Sequence, residues 1–158
     1  MVRFPWIWRL SGECRIKYVA ATILICMGTS WPAAAEMKSL DSYLSQPSEQ
    51  IEPSYMLVRC ASLFASMLMY IGEERMGSER YLTTKQNGDR LMKLATAVRI
   101  KKSGPGASDG VLRDVSNVAD IYLERMNKNY AANGKAFGED PLILSDLKTC
   151  KVVSESFQ

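Results

Sequence analysis

The 158-residue sequence contains no histidine. This absence excludes nucleophile triads built on a histidine base, zinc proteases that pair two histidines, covalent haem attachment through Cys-x-x-Cys-His, and glutamate-histidine di-iron sites of helical bundles. A histidine pH switch is excluded as well. The side chains left for catalysis are carboxylates, lysines, tyrosines and hydroxyls, and no residue stands out as a nucleophile.

Strand patterns are also missing from the sequence. No run of alternating apolar and polar residues lies between hairpin turns, and no segment repeats. Apolar residues recur instead at spacings of three and four, which place them on one face of a helix. The sequence therefore predicts an all-α fold, a compact bundle of about four helices in a single domain.

Residues 1–35 have the organisation of an export signal. An uncharged apolar run, Tyr18 to Ser30, precedes a small-residue cleavage site, Ala33-Ala34-Ala35. Its 13 residues are short for a membrane span, which needs about 20 residues. The basic residues before the run are Arg3, Arg9, Arg15 and Lys17. We predict a cleavable signal peptide, a mature chain from Glu36 without a stable membrane span, and export to the periplasm or beyond. The alternative is an uncleaved N-terminal membrane anchor.

Removal of this leader would change the charge balance. The chain has 20 basic and 17 acidic residues, and the leader holds four and one of these, which leaves 16 of each. A neutral mature domain lacks the concentrated positive charge that nucleic-acid binding requires. We therefore expect no nucleic acid among the partners.

The cysteine pattern predicts one disulfide. Cys14 and Cys26 belong to the leader, so the mature chain keeps Cys60 and Cys150, a pair in a compartment that allows disulfides. A bridge that closes a loop of about 90 residues contributes roughly 4 to 5 kcal/mol in the loop-entropy treatment. The alternative of a redox-active pair lacks the Cys-x-x-Cys spacing.

Helix signals divide the mature chain. A short amphipathic turn, Leu40 to Leu44, and a polar linker, Ser45 to Glu52, fill residues 36–52. The helical domain, 53–158, starts at Pro53, a favourable first helical residue. The first long helix is expected from Pro53 to about Arg75, apolar on so many sides that it should be central and buried, with Gly77 as its stop.

Three further helices are expected after this one. The second covers about Glu79 to Lys102, with Gly88 as a weak point, and the Gly-, Ser- and Pro-rich stretch 103–110 is a flexible connection. Ser108 or Asp109 is expected to cap the third, which should stop at Asn133-Gly134. Asp140-Pro141 starts the fourth, which runs to about Val153.

Arg59 lies inside the most apolar helix, next to Cys60. A buried charge needs a partner, and Asp146, one turn before Cys150, is the carboxylate that a disulfide would bring close to it. The sequence thus predicts a buried ion pair between Arg59 and Asp146, beside a Cys60–Cys150 bridge that joins the last helix to the first long one.

Other side chains that could be catalytic, bind a metal or bind lipid have simpler structural explanations. Glu73 and Glu74 point about 100° apart on a helix, which is poor geometry for a catalytic carboxylate pair. Met67 and Met69 could suggest copper, but residues two apart do not face each other, so we interpret both as core. A basic group could touch anionic lipid or a partner, but it also suits a helix C-terminus; its members are Arg99, Lys101 and Lys102.

These absences favour a non-enzymatic function. We predict a protein-interaction module of the bacterial envelope, an accessory subunit, inhibitor or chaperone-like binder of another envelope protein, with no cofactor and no metal. The absence of an Asn-x-Ser/Thr site in the mature chain fits a bacterial origin. An enzyme would require Arg59 and Asp146 open to solvent in a cleft. The alternative function is a periplasmic carrier with an apolar inter-helix pocket, lined by Phe64, Met67, Tyr122 and Met126.

Overall fold

The computed structural model describes residues 37–157, so the predicted leader and its cleavage site lie outside the described part. Five α-helices occur in this part: α1 Leu40–Leu44, α2 Pro53–Met76, α3 Ser78–Ser103, α4 Ser108–Asn133 and α5 Pro141–Glu155. Short 3-10 turns at Ser48–Gln50 and Pro105–Ala107 precede α2 and α4, and residues 37–157 contain no strand. The predicted all-α fold is confirmed, with α1 as a short fifth helix beside the four long ones.

The core lies around the first two thirds of α2, which packs most extensively against α3 and then against α4. Nearly every residue from Leu57 to Phe64 is buried, because helices cover α2 on several sides. The other helices contribute fully buried apolar side chains to the same core, among them Leu40, Leu91, Tyr122 and Ile143.

Among the described helices, α2 is the one that is long and apolar enough to cross a membrane, with a mean hydropathy of 1.4. The fold surrounds half of that stretch. Its buried residues include Arg59 and three serines, of which Ser62 donates to the carbonyl oxygens of Val58 at 2.8 Å and Val115 at 2.9 Å. These are the contacts of a core helix.

The end of α2 differs from the expectation of an unbroken helix to Arg75. Gly72 has φ 73° and ψ 163°, outside helical geometry, and Gly77 ends the final turn. Only glycine adopts such a conformation at little steric cost. The break frees backbone carbonyl groups, and Arg75 donates to two of them, Ile71 O at 2.7 Å and Tyr70 O. Gly72 therefore interrupts the helix before the stop that was predicted at Gly77.

Helix α3 continues through Gly88 from Ser78 to Ser103, so this glycine does not break the helix. A Cβ atom added at Gly88 would lie 3.5 Å from Phe64 Cβ and 3.9 Å from the carbonyl oxygen of Ala61. Gly88 therefore lies where α3 approaches α2 closely.

The predicted cap of α4 was wrong. The helix starts at Ser108 itself, after the 3-10 turn, with Ala107 in the cap position and no side-chain cap. Ser108 Oγ instead donates to Pro105 O at 3.3 Å, a bond that the preceding turn makes available. The stop at Asn133-Gly134 agrees with the structure, where Gly134 is left-handed with φ 73°.

Asp140 caps α5 as the sequence indicates. Its Oδ1 accepts from the amides of Leu142 at 3.0 Å and Ile143 at 3.1 Å, which satisfies two donors that a helix N-terminus leaves free. This cap fixes the start of the helix that carries Asp146 and Cys150.

Candidate functional site

The structure brings Arg59 and Asp146 into direct contact. Both side chains are fully buried, and Arg59 Nη2 donates to Asp146 Oδ2. Helix α2 supplies the arginine and α5 the aspartate, each from the face that points into the core. We call Arg59, Asp146, Tyr122 and Tyr55 the buried polar cluster.

Two tyrosines complete this cluster. Arg59 Nε donates to Tyr122 Oη at 2.9 Å and Arg59 Nη1 donates to Tyr55 Oη at 2.9 Å. Tyr122 in turn donates its hydroxyl proton to Asp146 Oδ2. The guanidinium carbon lies 5.6 Å from the ring centre of Tyr55 and 5.5 Å from that of Tyr122, so both rings also offer cation–π contacts.

The segment around α1 closes the cluster from the remaining side. Arg59 Nη1 donates to the carbonyl oxygen of Lys38 at 3.0 Å, and the amide of Leu40 donates to Asp146 Oδ1 at 2.6 Å. Both backbone groups lie within five residues of the predicted mature N-terminus, Glu36. The cluster therefore joins α1, α2, α4 and α5 through hydrogen bonds to a single ion pair.

Burial and charge act against each other in this cluster. Burial alone would lower the pKa of Arg59, but the nearby Tyr122, Asp146 and Tyr55 oxygens outweigh it, so its pKa is raised and the arginine stays charged. Burial is the main cause that raises the pKa of Tyr122; Asp146 adds to it and Arg59 opposes it. Tyr122 is therefore held neutral, as a phenol that both accepts and donates.

The predicted Cys60–Cys150 disulfide is confirmed. The two Cα atoms lie 5.2 Å apart across a separation of 90 residues, and both side chains are fully buried. Cys60 follows Arg59 on α2, and Cys150 lies one turn after Asp146 on α5. The bridge and the ion pair therefore connect the same two helices at neighbouring points.

The buried polar cluster is closed to solvent, and its polar atoms are hydrogen-bonded within the protein. Every buried side-chain nitrogen and oxygen atom in the described part of the chain has a hydrogen-bond partner. Arg59 and Asp146 have no surface contact with solvent, so the open cleft that catalysis by this pair would require does not form. The geometry gives the cluster a structural task, the fastening of four helices to one another.

Three of the four residues predicted to line a carrier pocket are buried in the core, and the fourth lines a surface cleft. Tyr122 and Met126 are fully buried, Phe64 nearly so, and all three pack in the core. Met67 lines an open cleft of about 480 Å³ near the break in α2, together with Ile71 and residues of α3.

The remaining sequence candidates separate into paired and exposed groups. Arg99 donates to Asp114 and Lys102 Nζ lies 3.1 Å from Glu52 Oε2, so both have carboxylate partners. The interpretation of Met69 as a core residue was wrong, because its side chain is 67 % exposed. It lies on the outer side of α2 beyond the covered stretch, where no helix packs over that face.

A second polar cluster surrounds the cap of α5. Asp140 Oδ2 accepts from Arg125 Nε and from Asn129 Nδ2, the latter at 2.9 Å. Burial opposes ionisation, but hydrogen bonds from Asn129, Arg125 and the Ile143 amide outweigh it and lower the pKa of Asp140. This cluster connects α4 to the start of α5, and only the capping role of Asp140 could be predicted from the sequence.

One surface feature was missed by the sequence reading. An open groove of about 610 Å³ lies between α1 and α5, and we call it the α1–α5 groove. On its α5 side Leu144 is 46 % and Val152 60 % exposed. The other lining residues are Asp41, Leu44, Ser145, Lys148, Thr149 and Val153. Leu144 and Val152 are eight residues apart, which places them on one side of α5 about 80° apart, but this spacing does not by itself show that the side is exposed.

Comparison of the chain with protein-family models, curated proteins and solved structures finds no match. Within residues 37–157, no group of three or more cysteine, aspartate or glutamate side chains is arranged to hold a metal ion.

Proposed function

We propose that this protein is a non-enzymatic interaction module of the bacterial envelope. It acts as an accessory subunit, an inhibitor or a chaperone-like binder. Its contact surface for another envelope protein is the α1–α5 groove. The observation that carries this proposal is the exposure of Leu144 and Val152 on one face of α5, beside a core whose polar groups are all paired.

The composition of the α1–α5 groove supports a protein partner. Four apolar residues line it, together with an acidic residue, Asp41, and a basic residue, Lys148. Protein interfaces combine an apolar centre with a polar rim in this way. An apolar ridge on the partner, such as one face of a helix, fits an open groove of this kind.

Three observations support the envelope location. Residues 1–35 have the sequence pattern of an export leader, residues 36–158 contain no Asn-x-Ser/Thr site, and the disulfide is typical of an oxidising compartment. The protein is thus expected to act outside the cytoplasm.

The carrier function has less support. A carrier encloses most of its ligand in a largely apolar cavity with a few convergent polar groups. The residues expected to line such a cavity fill the core instead, and the α1–α5 groove is open along its length. A protein partner therefore fits the surface better than a small apolar ligand does.

The test is a native pull-down from envelope extracts with tagged, exported protein in three forms. These are the wild type, the groove variant Leu144→Gln/Val152→Gln, and the control variant Leu112→Gln, which changes an exposed leucine of α4 that is 62 % accessible. We expect the wild type and the control to retain the same partner and the groove variant to lose it. Retention by all three forms, or by none, would contradict the proposal.

A second measurement separates the two functions. Native mass spectrometry of the purified wild type should give the mass of the polypeptide alone. A bound small molecule that is released on unfolding would instead favour the carrier.

A further inference from the structure

Charge is unevenly distributed over the folded domain. Helix α3, Ser78–Ser103, holds seven of the 16 basic residues that follow the leader and only two of the 16 acidic ones, Glu79 and Asp89. The rest of the mature chain holds nine basic and 14 acidic residues. The segment 36–158, of zero formal charge, therefore has one strongly basic helix.

Some of these cations are already neutralised. Lys85 pairs with Asp89 at 2.7 Å, Lys102 with Glu52, and Arg99 with Asp114. Arg80, Arg90, Lys93 and Lys101 have no carboxylate within 4.0 Å among the described residues, and Arg90 donates only to the carbonyl oxygen of Phe157. Four positive charges of α3 thus remain without an acidic partner in this part of the chain.

Three of the four cations lie around the outward side of α3. The buried side chains Leu91 and Ala95 define the inward side. At 100° per residue, Lys93 lies nearly opposite Leu91, with Arg90 and Lys101 about 60 to 80° further round. These three charges and the apolar residues beside them lie on one side of the helix, which also carries Glu79 and Asp89, the latter paired with Lys85; we call this side the basic face of α3.

Two exposed apolar residues lie on the same face. Leu82 is 53 % and Ile100 37 % exposed. They are 18 residues apart, a whole number of helical turns, so they share one line along the helix about 27 Å apart. The face therefore combines cations with an apolar side chain towards each end, on a long convex surface.

We propose that the basic face of α3 binds the surface of an anionic bilayer, with phosphatidylglycerol as the lipid recognised. The cations contact lipid phosphates, and Leu82 and Ile100 insert among the headgroups. Charge complementarity and the mixture of basic and apolar residues on one helix are features of helices that lie on such membranes. This surface lies apart from the α1–α5 groove, so the proposal is independent of the proposed function.

The expected binding is weak, reversible and sensitive to salt. Each cation near an anionic surface strengthens binding about five-fold, an effect that disappears beyond a few ångströms at high ionic strength. Removal of two cations should thus weaken binding about 25-fold.

The test is sedimentation of exported protein with large unilamellar vesicles. The vesicles contain either equal parts of phosphatidylglycerol and phosphatidylcholine or phosphatidylcholine alone. We expect binding to the first kind at 50 mM NaCl, little binding to the second, and loss of binding at 500 mM NaCl. The variant Lys93→Gln/Lys101→Gln should bind about 25-fold more weakly, whereas Lys128→Gln/Lys151→Gln, which removes the same charge from α4 and α5, should stay within about two-fold of the wild type.

The proposal is wrong if wild-type protein ignores phosphatidylglycerol, or if both double variants lose binding equally, which would indicate a non-specific charge effect. The proposal would also be overturned if the wild type does not sediment with the vesicles but binds an acidic protein through Lys93 and Lys101. The basic face would then be a surface for a protein partner. All substitutions are at exposed positions, so circular dichroism should show unchanged helix content in each variant.

Discussion

The amide of Leu40 donates to Asp146 Oδ1 at 2.6 Å, across 106 residues of sequence. The side chain of Leu40 is fully buried at the same place. Leu40 is therefore part of the core, and it anchors the short helix α1 to α5.

Replacement of Leu40 by alanine should destabilise the domain by about 2 to 5 kcal/mol, because it leaves a cavity in the core. Leu44→Ala, at a half-buried position of the same helix, is the matched control and should cost clearly less. Urea unfolding of the two variants, followed by circular dichroism, measures the difference. Equal losses would show that α1 is not anchored through Leu40.

Replacement of Arg59 by methionine should cost about 3 to 5 kcal/mol, because Asp146 is left buried without its cation. The double variant Arg59→Met/Asp146→Leu should lose less than the sum of the two single changes. It should not be neutral, since the Leu40 amide and the Tyr122 hydroxyl would then lack partners. A double-mutant cycle in urea gives the coupling, and strictly additive losses would contradict the pairing.

The disulfide should affect both the mass of the exported protein and its free energy of unfolding. Protein recovered from the export compartment should begin at Glu36 and weigh two hydrogens less than its reduced form. The Cys60→Ala/Cys150→Ala variant should be about 2 to 5 kcal/mol less stable in urea, because the unfolded chain regains a long open loop. Two free thiols in the unfolded, unreduced wild type would show that the bridge does not form.

Two glycines should respond in opposite directions to alanine. Gly88→Ala should raise stability by up to about 1 kcal/mol, since alanine favours a helix interior and the added Cβ meets Phe64 at an ordinary 3.5 Å. Gly72→Ala should lower it, because φ at Gly72 is 73°. Thermal unfolding of both variants is the measurement, and the same sign of change in both would contradict this account.

Acid should destabilise the domain in part through Asp140. Its pKa lies below the ordinary 3.8 in the folded protein, so the folded state holds the carboxylate more strongly than the unfolded state does. This contribution is complete above about pH 4 and is lost as the pH falls further and the group is protonated. Asp140→Asn keeps a capping oxygen but cannot titrate.

The measurement for Asp140 is the free energy of unfolding at pH 6.5 and at pH 3. The wild type should lose more stability between these values than Asp140→Asn, while other carboxylates contribute alike to both proteins. The same loss in both proteins would show that Asp140 does not carry the effect.

The helices, the disulfide and the Arg59–Asp146 ion pair could be predicted from the sequence, because they depend on the local periodicity of apolar residues. Cys60 and Cys150 each lie on the inward face of their helix. A disulfide between them therefore also brings Arg59, which precedes Cys60, close to Asp146, which lies one turn before Cys150. Tyr122 and Leu40 could not be added to the cluster, because their contacts depend on how α4 and α1 approach α2. A buried phenol needs a partner, but the stripe on α4 does not indicate which one.

Surface features were less predictable for a similar reason. The outward face of α5 is defined only once α1 lies beside it, so the exposure of Leu144 and Val152 does not follow from their spacing alone. Either of two nearby glycines, Gly72 and Gly77, could interrupt the helix, and the sequence pattern predicted the interruption only at Gly77. Helix periodicity predicts which residues share a face, but not how far a neighbour covers it.

The ion pair and the disulfide hold α5 to α2 at two points, one helical turn apart. A helix held at one point can still pivot, whereas two points fix both its rotation and its position along the partner. Leu144, Lys148 and Val152 are therefore presented in a set orientation before any partner arrives. Little conformational entropy is then lost on binding, so even a modest contact area along α5 can give useful affinity.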